Sequence, residues 1–453
     1  MTFIRKLKVG DKIYLAEVKS VRENGKVKQK FIKYLGREMD GKPIRKAEIN
    51  NIKIKSVKRS LDVLAIDKLA EQLTIKSIKN KYFLSLIYSQ LLEKRSISKI
   101  EEWIDYTEIP EVLAIDKLST KDLYESLTEI SEGEFINIDK NMHLIFNQLE
   151  DIKDIAVIDV TDTYFEGKSL DIKKRKGKDG KVRRLVQIGL ATTFENGFPI
   201  FHKNYQGNLS GVHILKDMSL EVKEMGLNSV IMDRGMMSLE NLKVISSLEL
   251  NLIAGLRKNN TLIRDFIYKI NKEEIYSLKN MVRLKNTKVF IETFDYMKGK
   301  LIIVYNPSIE LIKKNQNFEK GFDSSKDLGF SLVFHNTNYS SEEVVKKYYE
   351  KEIIERAFKQ MKGILNLRPI RVWLTEHIEG HIKICYLAYA ILSFMNYKLK
   401  KIKVSAIDAL DSLKHGYKVS LFDKKNSFSW DLLVPLKPKQ KKILDALDVV
   451  IKN

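Results

Sequence analysis

The sequence predicts an α/β protein: a mixed-sheet core with a β-rich insertion, preceded by a small basic β-module and a helical segment. Three observations predict it. Two short apolar runs, 154–160 and 229–233, carry an aspartate at or near their ends. Three strand-like segments between 154 and 206 precede an alternation of helix and strand up to 255, the rhythm of an α/β layer. Residues 61–132 hold no glycine and repeat apolar side chains at spacings of three and four, the period of a helix.

Taken in order, residues 1–60 read as short strands, with the turn Glu23-Asn24-Gly25-Lys26 between two runs rich in β-branched residues, a hairpin signal. Residues 61–148 form the helical domain, with Trp103 among its core candidates. The segment 149–400 is the α/β domain. Within it, 260–330 breaks the alternation and reads as a largely β insertion, with a hairpin about Lys298-Gly299-Lys300 and a strand FSLVFHN. Residues 340–363 form one helix, opened by a capping box in which Glu343 follows Ser340 by three and closed near Gly363. An apolar helix spans 376–400, and residues 401–453 read as a basic helical tail.

Charge and composition narrow the function. The 453 residues suffice for two to four domains. Eighty Lys and Arg against 59 Asp and Glu give a net charge of +21, which suits a polyanionic partner such as nucleic acid. The excess is uneven: residues 1–60 hold 18 basic and 6 acidic residues, and 173–184 holds 8 basic residues against one acid. A single cysteine, Cys385, excludes an internal disulfide framework and cysteine-based zinc fingers, and suggests a reducing intracellular setting. The longest apolar run, 384–392, is too short to span a bilayer, so no membrane role is expected. There is no phosphate-cradling glycine loop, so no nucleotide cofactor is expected.

Three carboxylates on separate elements suggest a chemistry. Asp159 lies at one predicted strand end and Asp233 at another, followed by Arg234-Gly235. Ligands in open α/β sheets gather at carboxyl ends of strands. Aspartate also serves there as a plain turn former or cap. Glu355 lies at the margin of its helix: Tyr348, Lys351, Glu355 and Lys362 share one face, and Ile353, Ile354, Ala357, Phe358 and Met361 form the apolar one. An ordinary solvated face with Glu–Lys pairs has the same spacing. Hard, oxygen-loving Mg²⁺ is held by carboxylates and phosphates, and two such ions can clamp an in-line phosphoryl displacement. Arg368 and Arg371 flank Pro369 and could reach phosphates. So could Lys174, Arg175, Arg183 and Arg184 in the basic loop, which equally suits a solvated turn. His377 and His381 lie four apart but lack the acidic companion of a zinc helix, and read as core or surface residues.

These motifs resemble the insertion-sequence DDE transposases with a Tyr-Arg-Glu-Lys signature. The resemblance lies in DVTDTYFEG (159–167), MDRGMMSLENL (232–242), the set Tyr348, Lys351, Glu355 and Lys362, and LNLRPIRVWLTEHIEGHIKICYLAYAIL (365–392), with ENGK and YLGR in the N-terminal module. The carboxylate spacings are 74 and 122 residues, with the β insertion between the second and third. The resemblance implies an RNase H-like core, a catalytic and metal-binding triad of Asp159, Asp233 and Glu355, and two Mg²⁺ or Mn²⁺ ions. It implies DNA contacts by Tyr348 and Lys362. Lys351 stands where the signature has arginine, which keeps the charge and loses the planar fork. The activity implied is cut-and-paste transposition: binding of inverted-repeat ends and target DNA, synapsis as a homodimer, strand cleavage and strand transfer, in a prokaryotic cytoplasm near the nucleoid. A nuclease or resolvase of the same fold, or a DNA-binding relative without catalysis, would present the same motifs.

Overall fold

A computed structural model describes residues 2–451 except 11, 24–25, 40–41, 45–50, 166–173, 177–180, 207–208, 210, 238, 323–324, 373 and 425–427. The expected Asn24-Gly25 turn and the tips of the basic loop lie outside these. The chain divides into two compact units, one from residues 1–58 and 416–435, the other from 59–415 and 436–452.

The smaller unit is built on an antiparallel sheet in the order β1 (Thr2–Val9), β2 (Lys12–Glu23), β3 (Lys26–Met39) and β4 (Lys42–Ile44). Glu23 pairs with Lys26, so the strands flank the expected turn. Leu15, Ala16 and Val18 are buried, whereas Phe31, Ile32 and Tyr34 are exposed. The strand β5 (Ile52–Arg59) lies in a separate sheet, completed from far along the chain as described below.

In the larger unit, helices Leu61–Gln72, Lys81–Leu92, Ile100–Ile104, Ile109–Val112, Thr120–Ser126 and Glu132–Asn147 follow, as the 3.6-residue pattern predicts. Each long one buries a stripe, such as Phe83, Leu84, Leu86, Ile87 and Leu91. They do not stand apart from the α/β core. Phe146 stacks on Phe198 at 4.3 Å, and Gly380 lets its helix approach Leu127, where an added Cβ would lie 2.4 Å from the carbonyl oxygen. The boundary expected at 148 is therefore a change of texture, and one core runs across it.

That core is a ten-stranded sheet. Its strands are β6 (Ile155–Phe165), β7 (Lys174–Lys176), β8 (Val182–Thr193), β9 (Pro199–Gln206), β10 (Ser229–Met232), β11 (Asn251–Leu256), β12 (Met281–Arg283), β13 (Lys288–Tyr296), β14 (Gly299–Tyr305) and β15 (Phe330–His335). Five of them run in the order β9-β8-β6-β10-β11. The first three are antiparallel and the last two parallel to β6, so the sheet is mixed, as expected. The strands of the 260–330 segment belong to the main sheet. β15, β14, β13 and β12 pair onto β11 in turn and extend the same sheet, and helix Pro307–Glu319 crosses between β14 and β15.

Helix Thr375–Leu399 is long and apolar enough to cross a membrane by length and composition. Here 83 % of its most apolar window is buried within the protein. It carries Ile382, Cys385, Tyr386, Ala390 and Ile391 into the interior.

The tail corrects the expectation. Helices Ala406–Leu413 and Pro438–Ala446 form, but β16 (Tyr417–Asp423) and β17 (Phe428–Leu433) lie between them as an antiparallel hairpin, and β16 lies beside β5. The reason is period-two patterning in which polar partners meet across the strands: Ser420 donates to Asp431 at 2.6 Å and Lys418 pairs with Asp431 at 3.2 Å.

Candidate active site

Asp159 is not at a strand end. β6 continues to Phe165, because β8 remains alongside it through the pair Phe165–Arg184. The parallel neighbour β10 is the strand that stops. Its last residue, Met232, pairs with Ile158, so Asp159 and Asp233 both stand one step past that pair, at the same level on neighbouring segments. β10 departs there into a one-turn 3₁₀ helix, Arg234–Met236. Gly235 does not take a left-handed conformation in it, so the sharp turn does not depend on glycine. Arg257 donates to the Gly235 carbonyl at 2.9 Å and pins the loop.

Glu355 arrives from above the sheet. The expected single helix is two, Ser341–Glu350 and Glu352–Lys359, jointed at Lys351 and followed by a π turn, Gln360–Ile364. The capping box at Ser340 and Glu343 is formed. Ile353, Ile354, Ala357, Phe358 and Met361 are buried, which leaves Glu355 exposed at the helix margin.

One cavity is lined by Asp159, Thr161, Glu355, Lys359, Lys362 and Arg368. The adjoining one is lined by Asp233, Arg234, Lys258, Tyr348, Lys351 and, again, Glu355. Glu355 is thus the wall shared between the two aspartates. Among the described residues, no three carboxylate, histidine or cysteine groups are gathered closely enough to hold a metal ion. A cation already occupies part of the space: the Lys351 ammonium lies 3.0 Å from Asp233 Oδ1 and 3.9 Å from Glu355 Oε1. Burial works to raise the Asp233 carboxyl. The Lys351 ammonium outweighs it, helped by Arg234, and holds the carboxyl below its ordinary value.

Tyr348 supports this arrangement. Its hydroxyl lies 3.4 Å from Asp233 Oδ1, and burial, with the Asp233 charge, pushes it above the usual tyrosine range, so it stays neutral and donates. It fits because residue 255, on β11, is glycine: a Cβ there would lie 2.1 Å from the hydroxyl. Sequence reasoning missed Gly255, Thr161 and Lys258. Only Lys258 left a signal, since it follows β11 much as Arg234 follows β10.

The other expected residues divide by place. Lys362 donates to Thr161 Oγ1, two residues beyond Asp159, and its ammonium lies 5.7 Å from the Phe358 ring centre. Arg368 reaches the Asp159 cavity because the chain around it is tied to β6: Thr163 donates to Leu367 O at 3.3 Å and Ile370 N–H to Tyr164 O at 3.1 Å. Arg371 lines a neighbouring pocket instead. Lys174, Arg175, Arg183 and Arg184 meet across β7 and β8. They lie six or seven positions along β8 from Leu190, the partner of Asp159, or roughly 20 Å away. Arg183 stands 4.4 Å over the Tyr164 ring. His377 stacks near Tyr124 and His381 lies half-buried 3.7 Å from Cys385 Sγ, and among the described residues neither joins a metal set.

Residues 150–391 match the family model described as "Transposase DDE domain". This chain belongs to the DDE transposase family. A solved structure similar to the transposase is the cryo-EM structure of a piggyBac transposase synaptic complex with hairpin DNA. It has a TM-score of 0.42 and 11 % identity, over 78 % of this chain and 76 % of that one. No curated protein matches the transposase in sequence. The family match spans both aspartates, strands β6 to β15 and Glu355, so the transposase domain is the large sheet together with the helices that cross it.

Proposed function

We propose that the protein binds the inverted-repeat ends of an insertion sequence and catalyses metal-dependent strand cleavage and strand transfer, with Asp159, Asp233 and Glu355 as the catalytic carboxylates. One observation carries this reading: three carboxylates from β6, the end of β10 and a crossing helix open on adjoining cavities walled by cations. The donor set fits Mg²⁺ or Mn²⁺, being all carboxylate oxygen, and the Lys351 ammonium between two of the three shows a place suited to positive charge. Drawn together on them, Asp159, Asp233 and Glu355 would hold two such ions, which would supply Lewis acidity for an in-line phosphoryl displacement.

The chain's own groups supply the rest. Lys362 and Arg368 hold the phosphates that flank the scissile bond, as donors to an acceptor-rich anion. Arg234 and Lys351 neutralise the strand on the Asp233 side. Tyr348 fixes the Asp233 carboxylate by its hydroxyl. Water opens the phosphodiester at the element's end, and the freed 3′ oxygen then attacks target DNA. The basic β-module, the helices of 61–148 and the Lys174–Arg184 ladder offer contacts to DNA away from the cut, and two protomers hold two ends together.

The test is cleavage of a DNA fragment carrying the element's own ends, with Mg²⁺ or with Ca²⁺ as control. Cutting is expected with Mg²⁺ alone, and its loss in Asp159→Asn, Asp233→Asn and Glu355→Gln with end binding retained. Cutting that survives Glu355→Gln overturns the assignment of that residue.

A further inference from the structure

The Lys351 ammonium touches both carboxylates of its cavity. It lies 3.0 Å from Asp233 Oδ1 and 3.9 Å from Glu355 Oε1, with the centre of the Tyr348 ring 5.1 Å away. Its side chain is 14 % exposed, against 42 % for Asp233 and 63 % for Glu355, so the charge is held inside while the two anions face the opening. A divalent cation on the same oxygens would stand within a few ångströms of that ammonium. Like charges at such a distance in a half-buried site repel strongly. Lys351 and a metal ion therefore compete for Asp233 and Glu355.

An ammonium displaced from these oxygens needs another anion. The same cavity is lined by three more cations, Arg234, Lys258 and Lys313, and by one more carboxylate, Glu352. Glu352 is the next residue in the chain, and adjacent residues on a helix do not face each other. A DNA phosphate entering the groove is the anion that can take the ammonium over. Lys351 is placed to move: it is the joint between helices Ser341–Glu350 and Glu352–Lys359, and its charge ends a flexible four-carbon stem. We propose that Lys351 is an exchangeable counter-ion, which neutralises Asp233 and Glu355 in the free protein and passes to a DNA phosphate when the strand enters, opening both carboxylates to metal. DNA then admits metal by withdrawing the ammonium, and by linkage metal tightens DNA by the same factor. Lysine suits this exchange better than arginine, whose planar fork grips a carboxylate at two points and is harder to withdraw. The inference rests on the reading of Asp159, Asp233 and Glu355 as a metal-binding set, and makes Lys351 a positioning residue that controls when the set is available.

The experiment titrates Mn²⁺ into the full-length protein and follows the free ion by electron paramagnetic resonance, without DNA and with a precleaved duplex of the element's end. Lys351→Met and Lys351→Gln both remove the charge. Without DNA, each should bind Mn²⁺ about tenfold more tightly than the parent, a gain that damage to the fold does not produce. Adding the duplex should then raise Mn²⁺ affinity about tenfold less in these variants than in the parent. Lys351→Arg, which keeps the charge, should bind Mn²⁺ no more tightly than the parent without DNA. If neither neutral variant gains affinity in the absence of DNA, or if the duplex helps them as much as it helps the parent, the exchange is overturned. Mn²⁺ binding by the parent–duplex complex that survives Asp233→Asn and Glu355→Gln unchanged would instead refute the metal-binding assignment of those residues.

Discussion

Gly255→Ala is the most informative single perturbation of the active site. The added Cβ would lie 2.1 Å from the Tyr348 hydroxyl, 2.9 Å from its Cζ and 3.0 Å from Arg234 Cβ. Contacts this short force the ring to move, and the ring is buried. Overpacking of this kind costs about 1–3 kcal/mol, read from urea unfolding followed by far-ultraviolet dichroism. The displaced hydroxyl leaves Asp233, and a hydrogen bond to a charged group contributes about 1.5–3 kcal/mol, so cleavage should fall by about 10–100-fold. Affinity for end DNA should fall far less than cleavage, since Lys362 and Arg368 on the Asp159 side keep their places. The reasoning stands or falls on a double-mutant cycle with Tyr348→Leu, which vacates the space. The stability cost of Gly255→Ala should then shrink by at least about 1 kcal/mol, the coupling expected of residues in contact. If the two single costs simply add, the claim that Gly255 exists to admit Tyr348 is refuted.

Other expectations follow from the same geometry. Glu355→Gln should reduce strand cleavage by more than about 100-fold and leave the unfolding midpoint unchanged, because the side chain is exposed at a helix margin. Lys362→Gln and Arg368→Gln should each lower the salt slope of DNA binding by about one, as befits a neutralised phosphate, and an unchanged slope would remove that residue from the contact set. Gly380→Ala should destabilise the large unit by about 1–3 kcal/mol in chemical unfolding, since its Cβ meets the Leu127 backbone. For Glu310, burial works to raise the carboxyl, but Lys272, Lys314 and Tyr305 hold it down at about 2, against an ordinary 4.5. Its contribution is therefore present above pH 4.5 and is lost as pH falls through about 2. Over that interval the parent's thermal midpoint should drop more steeply than that of Glu310→Gln.

Much of the site could be read from the chain because its signals are local. The apolar runs placed both aspartates at strand ends, as holds for Asp233, the spacing of Ile353, Ile354, Ala357 and Phe358 placed Glu355 at a helix margin, and Ser340 with Glu343 set where the first of its two helices begins. What escaped depends on partners distant in sequence. That Asp159 is mid-strand is decided by β8, which keeps β6 extended to Phe165. That the insertion continues the main sheet is decided by β15 pairing with β11. The spacing that pairs Lys351 with Glu355 was visible on the helix face, but not that its ammonium also meets Asp233 across two elements. Nothing local marks Gly255, whose role is defined by a ring from residue 348.

The sheet that joins β5 to the β16–β17 hairpin has a consequence for biogenesis. Asn51 accepts from Lys424, so β5 waits for a partner made hundreds of residues later. Pairings of such sequence separation close late. A truncated polypeptide would leave β5 as an open edge, and an unpaired edge is a template for aggregation. Only a chain translated past β17 can finish this module.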